Sequence, residues 1–391
     1  MKYLYVLVSN EADFYYEQVF LSVLSLREYN PEAFIVLLVD KDTADGLVGN
    51  RKEIVGLINK LEVVDLGHLT DNKIKSRWLK TTMREHVDGD FLYIDCDTVI
   101  TQPLTIPQNW TFDIGAVKHL HYSSLKNSSN YYSFTHNLEK CGIKYKSDDY
   151  FNGGVLFVRD TKKSQQFFSL WHSLYKSYWT QYGISVDQLS LYDANERLGG
   201  VITELSGEWN WQIGFGLNYF ADAKIMHTLT TAYIESNREK NSVHFLQRRT
   251  LYECIKQGEK SVDDLVRIIH SAKKMFDENV KITPLSFNID IIKKTIKSFS
   301  ANYKHLFLLG ETGFDQVMIS LIKELDIKIA GMLMVKNAGI NQMMNIPIYQ
   351  LEDFPFSKKD SGVIVPIRFP FVEEYLLTLY NEQFFNVYLL Q

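Results

Sequence analysis

The chain has 391 residues, 46% of them hydrophobic and 23% charged, with 42 basic against 47 acidic side chains. That length exceeds one average domain and predicts two, and the composition is that of an ordinary globular protein. A net charge of −5 excludes the basic field that gathers nucleic acid. Three scattered cysteines, Cys96, Cys141 and Cys254, form no C-x-x-C pair, so neither a disulfide framework nor a zinc site is indicated, and a reducing compartment is expected.

The N-terminal run Met1–Val8 is apolar but short and meets Ser9-Asn10 at once. It reads as a first buried strand, Tyr3–Val8, and not as a signal peptide. No apolar run reaches the roughly 18 residues that span a bilayer. The expected location is cytoplasmic, with peripheral contact at the inner face of a membrane left open.

A helix over about 13–29 follows, with Val19, Val23 and Leu26 at helical spacing, and Asn30-Pro31 stops it. Phe34–Val39 is an uninterrupted apolar strand that ends at Asp40. Such strands occur in sheets covered on both faces. Leu61–Val64 is a further strand. Trp78–His86 reads as a helix with Arg77 at its start, leading into the strand Phe91–Ile94. Phe112–Val117 and Val155–Val158 complete an α/β sandwich with a mostly parallel sheet. Ligands of such sheets sit beyond the strand C-termini, where Ser9, Asp40 and Asp95 fall. The Tyr-, Ser-, Asn- and Lys-rich stretch 120–150 reads as a long loop over the cleft.

Near residue 250 the character changes. Ser261–Asp264 resembles a capping box, with Leu265, Ile268, Ile269 and Ala272 on one face behind it. A basic amphipathic helix is expected over 290–299. Residues 251–300 therefore read as a helical connector after a first domain of residues 1–250. From 301 a small Rossmann-like α/β unit begins, with strands at 306–309, 327–335, 363–365 and 387–390 and helices at 314–325 and 372–380. Its turn Gly310-Glu311-Thr312-Gly313 lacks the full G-x-G-x-x-G, which argues against a dinucleotide. Packing, partner docking or homo-oligomerisation is the expected role of 301–391.

The chemistry begins at Asp95-Cys96-Asp97. Side chains two apart on a strand project together, so Asp95 and Asp97 face one way and Cys96 the other. Two hard oxygen ligands on one side suit a divalent cation that also holds phosphates. Val8-Ser9-Asn10 ends strand one, where backbone and short polar groups can hold a nucleobase. The Arg77 guanidinium can neutralise a diphosphate or hold sugar hydroxyls. Asn152-Gly153-Gly154, just before the strand at 155–158, lets a ligand approach the backbone closely, or forms a turn. Asp187-Gln188 opens a helix after Tyr182-Gly183, and Asp187 either caps that helix or, with Gln188, bonds sugar hydroxyls.

In order and spacing, Leu92-Tyr93-Ile94-Asp95-Cys96-Asp97-Thr98, Phe151-Asn152-Gly153-Gly154-Val155-Leu156 and Asp187-Gln188 resemble the retaining GT-A glycosyltransferases of family eight, the glycogenin and lipopolysaccharide galactosyltransferase type. The resemblance covers about residues 1–250. It implies a GT-A sandwich and transfer of a hexose or N-acetylhexosamine from a UDP-sugar to a glycan, lipid-linked or protein acceptor. It also implies Mn2+ (or Mg2+) on Asp95, Asp97 and a histidine, here His227 or alternatively His244. Gln188 and Asp187 would then stand near the reacting carbon. After its histidine the family carries glycine and then Lys-Pro-Trp, whereas this chain reads Thr228-Leu229-Thr230-Thr231-Ala232-Tyr233. The phosphate lysine is thus unassigned, with Arg238 or Lys240 as substitutes. The rival expectation is a catalytically lapsed sugar-nucleotide-binding or scaffold protein.

Overall fold

The computed structural model describes residues 1–107, 110–121, 131–213, 219, 222–230, 244–273, 289–309, 322–334, 342–343, 346–350, 354–366 and 387–390. Its first part is a seven-stranded mixed sheet between helical layers, so the expected α/β class with a mostly parallel central sheet is what the chain forms. Strands β1 (Lys2–Leu7), β2 (Phe34–Asp40), β3 (Lys60–Val64), β4 (Phe91–Ile94), β6 (Ile114–Lys118), β7 (Phe151–Val158) and β8 (Ile202–Glu204) line up as β3-β2-β1-β4-β7-β6-β8. β3, β2, β1 and β4 run parallel, and β7 is antiparallel to both β4 and β6. A second, three-stranded sheet joins β5 (Thr98–Ile100), β9 (Trp211–Gln212) and β10 (Ile225–His227) in the order β5-β10-β9.

The continuous apolar strands fill two cores at once, because alternate side chains leave opposite faces. Tyr3, Tyr5 and Leu7 join Ile35, Leu37 and Val39 on one face; Leu4 and Val6 join Val36 and Leu38 on the other. Helix α1 (Tyr15–Tyr29) covers the first face with fully buried Val19, Val23 and Leu26. Helices α3 (Asn72–His86) and α5 (Lys162–Tyr182) cover the second through Leu79, Met83, Phe167 and Trp171. Between α1 and α3 lies the short helix α2 (Lys41–Asp45).

Several elements differ from the sequence expectation. α3 starts at Asn72, capped by the Asp71 side chain, which accepts from the Ile74 N–H at 3.0 Å. Arg77 therefore lies in the second turn and not at the helix start; Lys73, Lys75 and Ser76 hid the apolar period before it. β7 begins at Phe151, so Asn152-Gly153-Gly154 lie inside a buried strand and not in a turn before it. The stretch 120–150 contains helix α4 (Tyr131–Lys140), whose Phe134 and Leu138 are buried, Phe134 against Tyr150 and Tyr192. Two apolar positions four apart were too sparse a signal against so polar a background.

The capping box at Ser261 forms as expected: the Ser261 side chain accepts from the Asp264 N–H and the Asp264 side chain returns the bond. Helices Arg249–Lys256 and Val262–His270 pack on α1, and Leu265, Ile269 and Ala272 are buried in the same core as β1. Helix Ile289–Ser300 precedes a separate six-stranded sheet built from His305–Leu309, Gly331–Met334, Gln342–Met343, Ile346–Gln350, Ser361–Pro366 and Val387–Leu390. All its pairings are parallel except that of Gln342–Met343 with Ile346–Gln350. Leu306 and Leu308 fill one of its cores and Phe307 and Leu309 the other. The Gly310–Gly313 turn, the helix expected over 372–380, Arg238 and Lys240 lie outside the described residues. Among the described residues no helix is long and apolar enough to cross a membrane.

Candidate functional site

The acids follow the end of β4, at the centre of the large sheet's carboxyl edge. β4 stops at Ile94 and the chain turns through Asp95-Cys96-Asp97 into β5. The turn is pinned by backbone: Asp95 N–H donates to Gly154 O at 2.7 Å, and Thr228 N–H donates to Asp97 O at 2.8 Å. The Thr98 and Thr228 hydroxyls donate to the Asp95 and Asp97 carbonyls, each at 2.9 Å. The Cys96 thiol turns back to Val6 O at 3.1 Å, which leaves the two carboxylates free to share a direction.

Register delivers the histidine. β10 pairs antiparallel with β5, setting His227 opposite Thr98. A residue 130 positions downstream of Asp97 thus arrives beside it: His227 Nε2 stands 3.2 Å from Asp97 Oδ1 and 4.0 Å from Asp95 Oδ2. The candidate ligand atoms of Asp95, Asp97 and His227 all lie within 4.8 Å of one another. His244 is elsewhere, its Nδ1 accepting from the Leu246 N–H and its Nε2 2.9 Å from Ala272 O.

Glycine makes the room. A Cβ on Gly154 would lie 2.3 Å from His227 Cε1 and 2.7 Å from its Nδ1, closer than carbon contacts allow. A Cβ on Gly153 would meet Lys80 Nζ at an ordinary 3.6 Å.

Burial alone would push the His227 pKa down, but Asp97, by charge and hydrogen bond, and Asp95 outweigh it, and the net direction is up. Burial would raise the Asp97 pKa, yet His227 and Lys80 bring it below its usual range.

Lys80, which sequence reasoning missed, ties this cluster to a third acid. Its Nζ lies 3.2 Å from Asp95 Oδ1 and 3.2 Å from Asp187 Oδ2, and it sits over the Tyr93 ring. The Tyr93 hydroxyl donates to Asp95 Oδ1. Arg77, three residues before Lys80 and on the same helix face, places Nε 3.8 Å from Asp187 Oδ1. Asp187 opens helix α6 (Asp187–Arg197) but does not cap it; the cap position is Val186, with no side-chain bond. Burial pushes the Asp187 pKa up, and Lys80 and Arg77 more than reverse that, so this carboxylate stays ionised. Beside it the Gln188 Nε2 is buried with no hydrogen-bond partner, an unsatisfied donor of the kind that needs an occupant.

Val8, Ser9 and Asn10 close the end of β1 beside β2 and β4. Ser9 N–H donates to Thr43 Oγ1 at 2.9 Å and Asn10 N–H to Asp13 Oδ2 at 2.8 Å. Asn152 faces away from this turn, into the buried set Asn210, Gln212 and His119. Leu120 and His121 both take left-handed backbone, with φ of 52° and 57°, an uncommon state for non-glycine residues that clusters at functional sites. Burial, then His227 and His121, press the His119 pKa down to about 3. Lys80, His119 and Gln212 carry no local signal, because their partners lie far along the chain.

No family model and no curated protein matches this chain. Among solved structures, the chain is similar to mouse xyloside xylosyltransferase 1 in its apo form (13% identity, TM-score 0.38, covering 58% of this chain and 96% of that one). It is similar to the apo WbbM bifunctional glycosyltransferase (17%, 0.41, 58% and 45%). It is also similar to the galactosyltransferase LgtC in complex with donor and acceptor sugar analogues (15%, 0.40, 71% and 98%).

Proposed function

We propose that the chain is a metal-dependent, retaining glycosyltransferase that moves a hexose or N-acetylhexosamine from a UDP-sugar to a glycan, lipid-linked or protein hydroxyl. The observation that carries this reading is the meeting of Asp95, Asp97 and His227 at a strand end, with Arg77, Lys80 and Asp187 along one side. The donor set fits a divalent cation: two carboxylates and an imidazole, with the ring seated where Gly154 lacks a side chain. Cis ligands on an ion with bonds of about 2.1 Å stand about 3 Å apart, close to the 3.2 Å between His227 and Asp97. The nitrogen ligand favours Mn2+ over Mg2+. When bound, such an ion acts as a Lewis acid that neutralises charge on the departing diphosphate.

The remaining work falls to the chain's own residues. The Arg77 guanidinium offers paired donors to phosphate oxygens. Lys80 fixes Asp95 and Asp187 in place and, with Arg77, keeps Asp187 ionised. Asp187, held as an anion, opposes the positive charge that develops on the sugar as its bond to phosphate stretches. Gln188 Nε2 supplies a donor to the sugar and orients it. The Val8–Asn10 turn is assigned to the base by the family resemblance; its Ser9 and Asn10 N–H groups already serve Thr43 and Asp13. No side chain is assigned as general base, because retention is compatible with a phosphate oxygen taking the acceptor proton on the same face.

The test is release of UDP from UDP-glucose, UDP-galactose and UDP-N-acetylglucosamine, with Mn2+ and with chelator. Turnover that requires the metal supports the reading. UDP binding of equal strength with and without chelator overturns it. A second reading, a binding protein without turnover, is favoured by the missing Lys-Pro-Trp after His227, where the chain reads Thr228-Leu229-Thr230-Thr231-Ala232-Tyr233. Metal-dependent UDP binding without release from any donor would select it.

A further inference from the structure

Three buried amides behind the metal-ligand set, Asn152, Asn210 and Gln212, hold one another and His227 in a single orientation. The Gly154 backbone N–H donates to Asn152 Oδ1 at 2.8 Å, which decides the oxygen end of that amide. The far end is decided as well. Gln212 Oε1 accepts from the Leu120 N–H at 2.7 Å and from Asn152 Nδ2 at 3.2 Å, while Gln212 Nε2 donates to Lys118 O at 3.0 Å. Asn152 Oδ1 also accepts from Asn210 Nδ2 at 2.9 Å. Asn210 must therefore present its oxygen to His227 Nδ1, 3.1 Å away.

A carboxamide oxygen only accepts, so the hydrogen at that contact belongs to Nδ1. Nε2, which faces Asp97 at 3.2 Å, is then the nitrogen whose lone pair is available in the neutral ring. Asn152, Asn210, Gln212 and His227 are 5%, 0%, 0% and 4% exposed, so water is a poor substitute for any of these bonds. A carboxylate at position 210 would still accept from Nδ1–H, but it would set a second acceptor against Asn152 Oδ1 and add a negative charge to a site that already holds Asp95, Asp97 and Asp187.

We propose that Asn210 is a positioning residue: held by Asn152 and Gly154, it selects the Nδ1–H tautomer of His227 and so aims Nε2 at a divalent cation on Asp95 and Asp97. This rests on the metal reading above and extends it to a residue outside the ligand set. Partners on the far nitrogen of a ligating histidine set its tautomer and basicity, and their loss typically costs about 10- to 100-fold in metal affinity.

The test uses the full chain and Mn2+ itself, titrated in the presence of UDP. Asn210→Leu, which keeps the branching and heavy-atom count and removes the acceptor, is expected to weaken Mn2+ binding by about 10- to 100-fold. Asn210→Asp, which keeps an acceptor for Nδ1–H but loses the donor to Asn152 Oδ1, is expected to bind Mn2+ more tightly than the Leu variant. Equal affinity of the Leu variant and wild type overturns the assignment, as does an Asp variant that falls as far as the Leu variant, because packing alone would then explain both. Imidazole nitrogen NMR of the metal-free wild type at alkaline pH needs no variant: Nδ1 is expected to carry the hydrogen, and an Nε2–H ring overturns the assignment. His227→Ala separates the two levels. If it binds Mn2+ as tightly as wild type, the metal reading itself has failed; if it alone loses the metal, only the role of Asn210 has failed.

Discussion

Two acid clusters sit at strand ends on either side of β1 in the same sheet, and they differ in how their charge is met. At the end of β2, Asp40 is 1% exposed; its Oδ1 accepts from the Thr43 N–H at 3.2 Å and its Oδ2 takes Lys75 Nζ at 2.9 Å. Lys75 also reaches the exposed Asp42. The buried carboxylate there has a lysine against it and a helix to cap, and the second acid on that lysine stands in water. After β4, three carboxylates, Asp95, Asp97 and Asp187, share two permanent cations, Arg77 and Lys80, with a titratable imidazole between them. A single buried anion met by a lysine is architecture; a half-buried group of three anions around two cations suits the divalent ion proposed above.

Substitutions can break or sharpen that contrast. The largest effect is expected from Asp97→Ala, which should cut metal-dependent UDP release by about a thousandfold, the several kcal/mol expected of lost Lewis-acid stabilisation. Its far-UV circular dichroism should be unchanged, because the substitution relieves like-charge crowding. Lys75→Met should do the reverse. It leaves Asp40 buried and unpaired, and should cost about 3 kcal/mol in denaturant unfolding while Mn2+ affinity is kept. If Lys75→Met weakened Mn2+ binding as strongly as Asp97→Ala, the two clusters would be one site and the contrast would fall.

The adjacent glycines offer a finer division. Gly154→Ala sets a Cβ into the His227 ring and should weaken Mn2+ binding about 10- to 100-fold by calorimetry. The pH dependence follows from the carboxylates that raise the His227 pKa above its ordinary 6.5. Below that raised pKa the ring holds a proton that the cation must displace, so Mn2+ affinity should rise about tenfold per pH unit and level off once the ring is neutral. A flat profile from pH about 5 to 8 would remove His227 from the ligand set. Gly153→Ala, one residue away, should change stability by less than about 1 kcal/mol and leave metal affinity intact, since its Cβ meets only an ordinary contact.

The sequence carried the acids and the sheet because both rest on short-range pattern. An apolar strand ending in Asp-X-Asp is legible from period-two alternation, and Phe34–Asp40 declares a doubly covered strand by having no polar gap. Asn152-Gly153-Gly154 was legible as important but not as strand. Its glycines look like a turn, and only the His227 ring pressed against Gly154 explains why a strand interior dispenses with side chains. Lys80 was not legible as part of the site, because its partners lie 15 and 107 positions later and nothing local marks a helical lysine as buried. Asn210 stands between two tryptophans, Trp209 and Trp211, with nothing local to mark it, and its role is set by a backbone N–H 56 residues earlier. Local pattern supplies the elements; the convergence of their ends is a property of register.

The helices at 249–256 and 262–270 bear on any attempt to work with the N-terminal half alone. Leu265, Ile269 and Ala272 wedge against α1, so a fragment ending near residue 250 would bare a greasy strip along that helix and invite precipitation. A truncation intended for crystallisation or assay should run through residue 273.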